Sequence, residues 1–356
     1  MEDQVQLKEM LRYLDKMKTK IILLSSLFFG ITSLKAQQDI HSSNWYYANA
    51  LINPAAVATD GSTYSIYTNF RLQYFTLGGA PMRTNSLSAE MKMPDQSGSS
   101  NSFGMGLNFY NDQTGDGRFM TNSFAIPVSY TINLDYQNKL SIGLSPGFYT
   151  QGYNPNYQTW ESQWNGTTFN PDAVSGENLN RSYVALDMGA GMFYQIERDD
   201  RSKYFAGFSA KHLTRPKIDF SFNGDKLYPL YTIHAGAEFT SKKKYLKVRP
   251  NVVYYSNGAN KSVVFGSSAE TLLDEGARVT TLRKYKSLQY GFYYRWNDAI
   301  IATFGVNIEG FMAGLSFDAN VSSLNSASNS IGAIELYFKY GLVTKSTDTK
   351  KKKKKK

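Results

Sequence analysis

The residues able to do acid–base or metal chemistry are few, and their spacing argues against a reaction centre. His41, His212 and His234 are the only imidazoles, no two lie at metal-ligand spacing, and cysteine is absent, so a zinc site lacks its usual donors. His234 alternates with Thr232 and Gly236, which sets it on the polar face of a strand. A base there needs a hydroxyl nucleophile and a carboxylate or amide behind it. Serine is too common in this chain to mark one, and the expected role is a hydrogen-bonded structural histidine. Asn111-Asp112-Gln113-Thr114-Gly115-Asp116-Gly117 gathers carboxylates around turn residues but lacks the later bidentate Glu of a calcium loop, so it reads as a tight hairpin. Asn165-Gly166-Thr167 reads as a turn. The chain is expected to be no enzyme and to use no cofactor and no metal.

What must position these residues is a set of strands. From Thr63 onward apolar and polar residues alternate, turn residues punctuate the alternation, and no helical period persists. Val184, Leu186, Met188, Ala190, Met192 and Tyr194 share one face, with Ala185, Asp187, Gly189 and Gly191 on the other. The same two-residue period separates Leu288, Tyr290, Phe292, Tyr294 and Trp296 from Gln289, Gly291, Tyr293 and Arg295. It returns in Ile334, Leu336, Phe338 and Tyr340, opposite Glu335, Tyr337, Lys339 and Gly341. Glycine on the polar face suits the curved inside of a barrel and leaves lumen space.

The pattern predicts fourteen strands, at 63–74, 84–93, 102–112, 119–135, 138–153, 182–197, 203–213, 228–241, 246–257, 262–272, 285–297, 299–309, 311–321 and 331–343. An even count puts both ends of the chain on the periplasmic side of an outer-membrane barrel. Connections at 75–83, 113–118, 154–181 and 214–227 then lie outside, and the shorter ones at 136–137, 198–202, 242–245 and Gly310 lie inside. Residues 273–284 form an unusually long inner connection, which means a miscounted pair of strands or a periplasmic contact surface. Pro127 falls within the fourth strand, where its missing N–H predicts a bulge.

Composition agrees with this fold class. The 356 residues include 26 Tyr and 22 Phe, which suits strands with rings at a membrane interface. Past the N-terminal segment no apolar run reaches the roughly 18 residues of a spanning helix. The formal net charge of +10 belongs to the ends: residues 1–36 carry a net two positive charges and Lys350–Lys356 seven more, leaving the body nearly neutral. That excludes the basic patch of a nucleic-acid binder. Lys18 and Lys20, the apolar stretch Ile21–Ile31 and the approach to Ala36 have the order of a secretory signal, with the mature chain starting at Gln37. Met17 suggests that residues 1–16 lie upstream of the true start. Residues 37–62 read as a periplasmic N-terminal segment, 63–343 as the barrel and 344–356 as a disordered Lys-rich tail.

Several segments, taken in order, resemble the PorP/SprF family of type IX secretion and gliding-motility outer-membrane proteins. They are Asn53-Pro54-Ala55-Ala56, Phe70-Arg71-Leu72-Gln73-Tyr74, Phe103-Gly104-Met105-Gly106, and Leu140-Ser141-Ile142-Gly143-Leu144. Gly207 to Pro216, Gly291 to Ala299 and Ile334-Glu335-Leu336 continue the series. The Lys tail and the long loop 154–181 depart from the pattern. The resemblance implies an outer-membrane barrel in Bacteroidota-type bacteria, with no active site. It implies as partners a secreted surface adhesin or repeat protein, periplasmic secretion or motor-ring lipoproteins, and outer-membrane lipid. The long outer loop supplies Trp160 and Trp164 as candidate partner anchors. The competing expectation is a passive outer-membrane channel for small or lipid-like solutes, if the glycine-lined lumen is open.

Overall fold

In the computed structural model the chain divides into two units, residues 1–36 and 37–356. The structure describes Asp39 and residues 41–343, apart from 95–100, 155–156, 175–181, 218–225, 244 and 276–284. The expected signal segment and Lys-rich tail lie outside the described residues.

One antiparallel sheet closes on itself. Its strands are β1 (Tyr64–Gln73), β2 (Met82–Pro94), β3 (Ser102–Thr114), β4 (Phe119–Ala125), β5 (Val128–Asn133), β6 (Asn138–Gly152), β7 (Ser182–Asp199) and β8 (Ser202–Lys211). They continue as β9 (Leu230–Thr240), β10 (Leu246–Asn257), β11 (Asn260–Glu275), β12 (Tyr285–Arg295), β13 (Ala299–Ile308), β14 (Phe311–Asn320) and β15 (Ile331–Leu342). Apart from β4 and β5, which do not pair with each other, chain neighbours pair, and β1 pairs with β15 to remove the last edge. β4 and β5 are halves of one stave, since both lie between β3 and β6. The result is a closed barrel of fourteen staves. Closure is what lets strands lie in lipid, where an unpaired backbone edge would be left without hydrogen bonds.

The alternation seen in sequence is the inside–outside alternation of the wall. Along β1 the exposed residues are Tyr64, Ile66, Thr68 and Phe70, while Ser65, Tyr67, Asn69 and Arg71 are buried. The outward rings and aliphatic chains face the bilayer, and the polar residues face the lumen. At Pro127 the stave is interrupted, yet the expected bulge is absent: the partner register on β3 and on β6 is the same before and after the break. Proline removes only its own donor. Its carbonyl still accepts from the Gly106 N–H at 2.8 Å, and the Ile126 N–H reaches the Pro146 carbonyl at 2.9 Å, so no extra residue is needed.

Connections at the end where β1 starts and β15 finishes are mostly short, as between β7 and β8 or β13 and β14. By the even-strand rule this end is periplasmic. The opposite, outer end carries the stretches 153–181, 212–229 and 321–330, the last holding a one-turn helix, Asn325–Ser328. β11 and β12 pair directly as far as Glu275 and Tyr285, so no strand pair was miscounted there. The remaining connection, 276–284, lies outside the described residues.

The segment expected in the periplasm is instead inside the barrel. A 3-10 turn at Trp45–Tyr47, a one-turn helix α1 (Asn49–Ile52) and a second 3-10 turn at Pro54–Ala56 pack against inward-facing side chains. Trp45, Ala55, Ala56 and Val57 are essentially inaccessible. Trp45 and Ile52 join Leu230, Val253, Tyr255, Val264, Tyr293 and Ile301 in one apolar cluster. Apolar wall residues such as Val253 and Ile301 have no place in a water-filled lumen, and burying Trp45 against them is the driving force that draws the segment in.

A lumen closed from within

The candidate functional site is this plug and the wall that holds it. Asp39 lies beside His212 near the outer end of the lumen, and from Ser42 the segment descends to Asp60 near the inner end before turning into β1. Three polar clusters and a glycine-lined slot fix its path.

The first cluster clamps Ser42–Asn44. Asp318 of β14 and Glu335 of β15 face Arg71 of β1 and Arg295 at the end of β12. Arg71 pairs with Asp318 at 3.0 Å and with Glu335, its direct partner across the β1–β15 ladder; Arg295 reaches Asp318 at 3.1 Å. Two carboxylates thus meet two guanidiniums, so the cluster is neutral in sum, as burial requires. The plug completes it. Glu335 accepts from the Ser43 N–H at 2.7 Å, the Asn44 amide at 2.8 Å and the Ser42 hydroxyl at 3.0 Å. The Ser43 hydroxyl donates to Asp318 at 2.7 Å.

The slot holds Asn53–Val57. A Cβ on Gly143 would lie 2.5 Å from the Ala55 nitrogen, one on Gly104 would lie 2.7 Å from the Val57 carbonyl oxygen, and one on Gly191 would collide with the Asn53 side chain. The glycines expected to leave lumen space do leave it, and the plug occupies it. Asn53 uses its whole amide: the oxygen accepts from the Ala55 N–H at 2.9 Å, capping the turn that Pro54 opens, and the nitrogen donates to the Met192 carbonyl and to His234 Nε2, each at 3.0 Å.

The remaining clusters hold the two ends of the segment. His212, the residue after β8, stands between Asp187 of β7 (2.8 Å) and Asp39 (3.0 Å). Burial lowers its pKa, but the hydrogen bonds and charges of the two carboxylates outweigh that and raise it to about 9, so the ring is an imidazolium donating from both nitrogens at neutral pH. At the inner end Lys339 pairs with Asp60 at 2.9 Å, and the Ala58 N–H donates to Glu90 at 2.7 Å.

The residues singled out in sequence are now placed. His234 is buried, stacked on Phe193 and hydrogen-bonded to Asn53; no hydroxyl bonds to it among the described residues. Asp112 accepts from Thr114 at 2.8 Å as part of the β3–β4 hairpin, while Asp116 is turned toward the Ala80 N–H, so the two carboxylates of that loop do not converge. Asn165 accepts from the N–H groups of Thr167 and Thr168 in a tight turn. Trp160 is half-buried and its backbone N–H donates to Gln163 Oε1 at 2.9 Å. Trp164 is 54% exposed and bridges to Phe169.

The clamp residues Arg71, Arg295, Asp318 and Glu335 were not foreseen as a site. Three of them, with Asn53 and His212, lie in the very segments that carried the family resemblance, and the structure brings those distant segments together around one plug. Residues 34–340 match the family described as type IX secretion system membrane protein PorP/SprF. The chain belongs to that family. It is therefore an outer-membrane component of type IX secretion, in a family and a fold that are not enzymatic.

No curated protein matches the chain in sequence. Among solved structures, the Pseudomonas putida toluene transporter TodX is similar with a TM-score of 0.48 at 10% identity, covering 85% of this chain and 94% of TodX. The CymD monoaromatic hydrocarbon channel gives 0.47 at 8% identity over 84% and 93%. A Pseudomonas aeruginosa FadL homologue gives 0.47 at 10% over 83% and 94%. What TodX and CymD carry is a property of those proteins.

Proposed function

We propose that this PorP/SprF protein works as an anchoring component that holds a secreted surface adhesin or repeat protein at the outer membrane, and that its inner end contacts periplasmic lipoproteins of the secretion or motor machinery. The observation that carries the reading is the plug. A barrel whose lumen is packed by its own residues 43–58, with a neutral charge cluster and a glycine slot shaped for them, is built to stay shut and to present two fixed surfaces. A passive channel for small or lipid-like solutes needs the opposite, a continuous path, and the buried Trp45 and Asn53 stand across it.

The outer surface is the side for the secreted partner. Residues 157–174 rise there, and Trp164 and Phe169, exposed together at the tip, are the anchors we assign to that contact, with Trp160 supporting the turn beneath them. Aromatic side chains of this kind dominate interface energetics when a partner covers them.

The test is deletion of the gene in the native host, followed by surface labelling of secreted proteins and a mild-detergent pull-down of the tagged barrel. Loss of one large surface protein from the deletion strain, and its recovery with the barrel, is the expected result. Normal display of every surface protein in the deletion strain overturns the reading.

A further inference from the structure

Beside the plug, in the outer half of the lumen, lies a cavity of about 40 Å³. Its floor is Leu51 and Pro54 of the plug, and its wall includes Ser123, Ser145, Asp187 and Lys211. The space exists because the inward positions of neighbouring staves are small at this level: Ala125, Ser145, Gly147 and Gly189. A carboxyl group or a water is the size of object it admits.

Lys211 is the feature that needs explaining. In the same half of the lumen Arg71 and Arg295 are each held by carboxylates. Lys211 is half-buried and inward-facing, yet among the described residues it has no ion pair and no hydrogen bond. The carboxylates of Asp187 and Asp39 are committed elsewhere. Asp187 accepts from His212, from its neighbouring Met188 N–H at 2.8 Å and from the Thr214 hydroxyl, and Asp39 is held against the other face of His212. The hydroxyls of Ser123 and Ser145 are likewise without a hydrogen-bond partner among the described residues. An ammonium group and two hydroxyls with free donor capacity, over an apolar floor, make a receptor for an oxygen anion.

The charge count narrows the anion. His212 and Lys211 balance Asp39 and Asp187, so the pocket offers no net positive field. A phosphate or sulfate dianion would feel the two aspartates strongly and meet only one free cation. A carboxylate carries one charge and fits the donors available.

We propose that this cavity is a binding site for a carboxylate reached from the outer side, with Lys211 as its cation and Ser123 and Ser145 as hydroxyl donors. The carboxylate comes from a chain end of an extracellular protein or from a small carboxylic acid. The site stands apart from the anchoring reading, since it can be filled or empty in purified protein whatever the cell displays.

The experiment is ligand-observed NMR titration of the full chain in nanodiscs with butyrate, butyramide, and an acetylated alanine pentapeptide in free-acid and C-terminal amide forms. At least one acid should bind saturably, with its amide counterpart and the K211Q variant each weaker by roughly tenfold or more, as loss of a charge-assisted hydrogen bond requires. S145L, which fills the cavity and leaves Lys211 in place, should also abolish binding. K247Q, at the inner end of the lumen, should bind as the parent does. Tighter binding of the peptide acid than of butyrate assigns the site to a protein chain end, and equal binding assigns it to a small acid. Binding of amides as strong as acids, binding unchanged in both K211Q and S145L, or no saturable binding of either acid overturns the proposal.

Discussion

Glu335 is the residue on which the plug depends most. It holds Arg71 and takes three donors from Ser42–Asn44. Glu335→Ala leaves Arg71 with one carboxylate and the Ser43 and Asn44 donors buried without acceptors. A cost of about 3–5 kcal/mol follows, read as a lower urea midpoint in detergent micelles. His212 sets a different, titratable limit. Its pKa is raised to about 9, above the unfolded value near 6.5, so its contribution is fully present below that value and is lost as pH rises through about 9. The groups facing it are Asp39, Asp187 and the Tyr149 ring, with Lys211 and Tyr110 beside them in the cavity wall. A neutral ring can donate to only one of the two aspartates. Stability of the plugged barrel should therefore fall between neutral pH and pH 10, and H212Q should remove most of that slope.

At the scale of elements, the strands were legible because their period of two is imposed by the wall itself: one face in lipid, one in the lumen. The plug was not legible, for a physical reason. Trp45, Tyr46 and Tyr47 are adjacent, and a lone one-turn helix has no apolar period to read, so 37–62 reads in sequence as a periplasmic N-terminal segment. The signal that could have found it lay elsewhere, in Gly104, Gly143 and Gly191. Glycine at inward positions of three staves at related depths leaves a groove, and a groove that crosses several strands calls for something to fill it. Similarly, Arg71 and Glu335 could be read as inward-facing, but their partnership depends on which strands meet at closure. If the plug fills that groove, removing the plug and blocking the groove should have the same effect. Deleting residues 41–60 should open the lumen and raise single-channel conductance in planar bilayers well above the parent's closed baseline. Gly191→Val should do the same without shortening the chain, by excluding the Asn53 side chain. A parent barrel that already conducts steadily would count against a shut lumen.

The whole molecule is stabilised by two different solvents, and the last prediction separates them. Leu315 lies midway along β14, half exposed, opposite Leu336 of β15 and Phe304 of β13. In water an arginine at such a site would cost almost nothing. At the bilayer midplane it costs about 2–4 kcal/mol, and near the interface about 0–1. Leu315→Arg should therefore lower the refolding yield and unfolding midpoint in lipid bilayers, while Phe311→Arg, at the inner end of the same strand, should be nearly neutral. Both side chains point outward and neither touches the plug, so the closed lumen should be unaffected in any variant that folds. A penalty that follows depth along β14 and leaves conductance unchanged would show that the outward face is read by lipid and the inward face by the plug. That independence is what a barrel needs if its ends are to serve as fixed platforms.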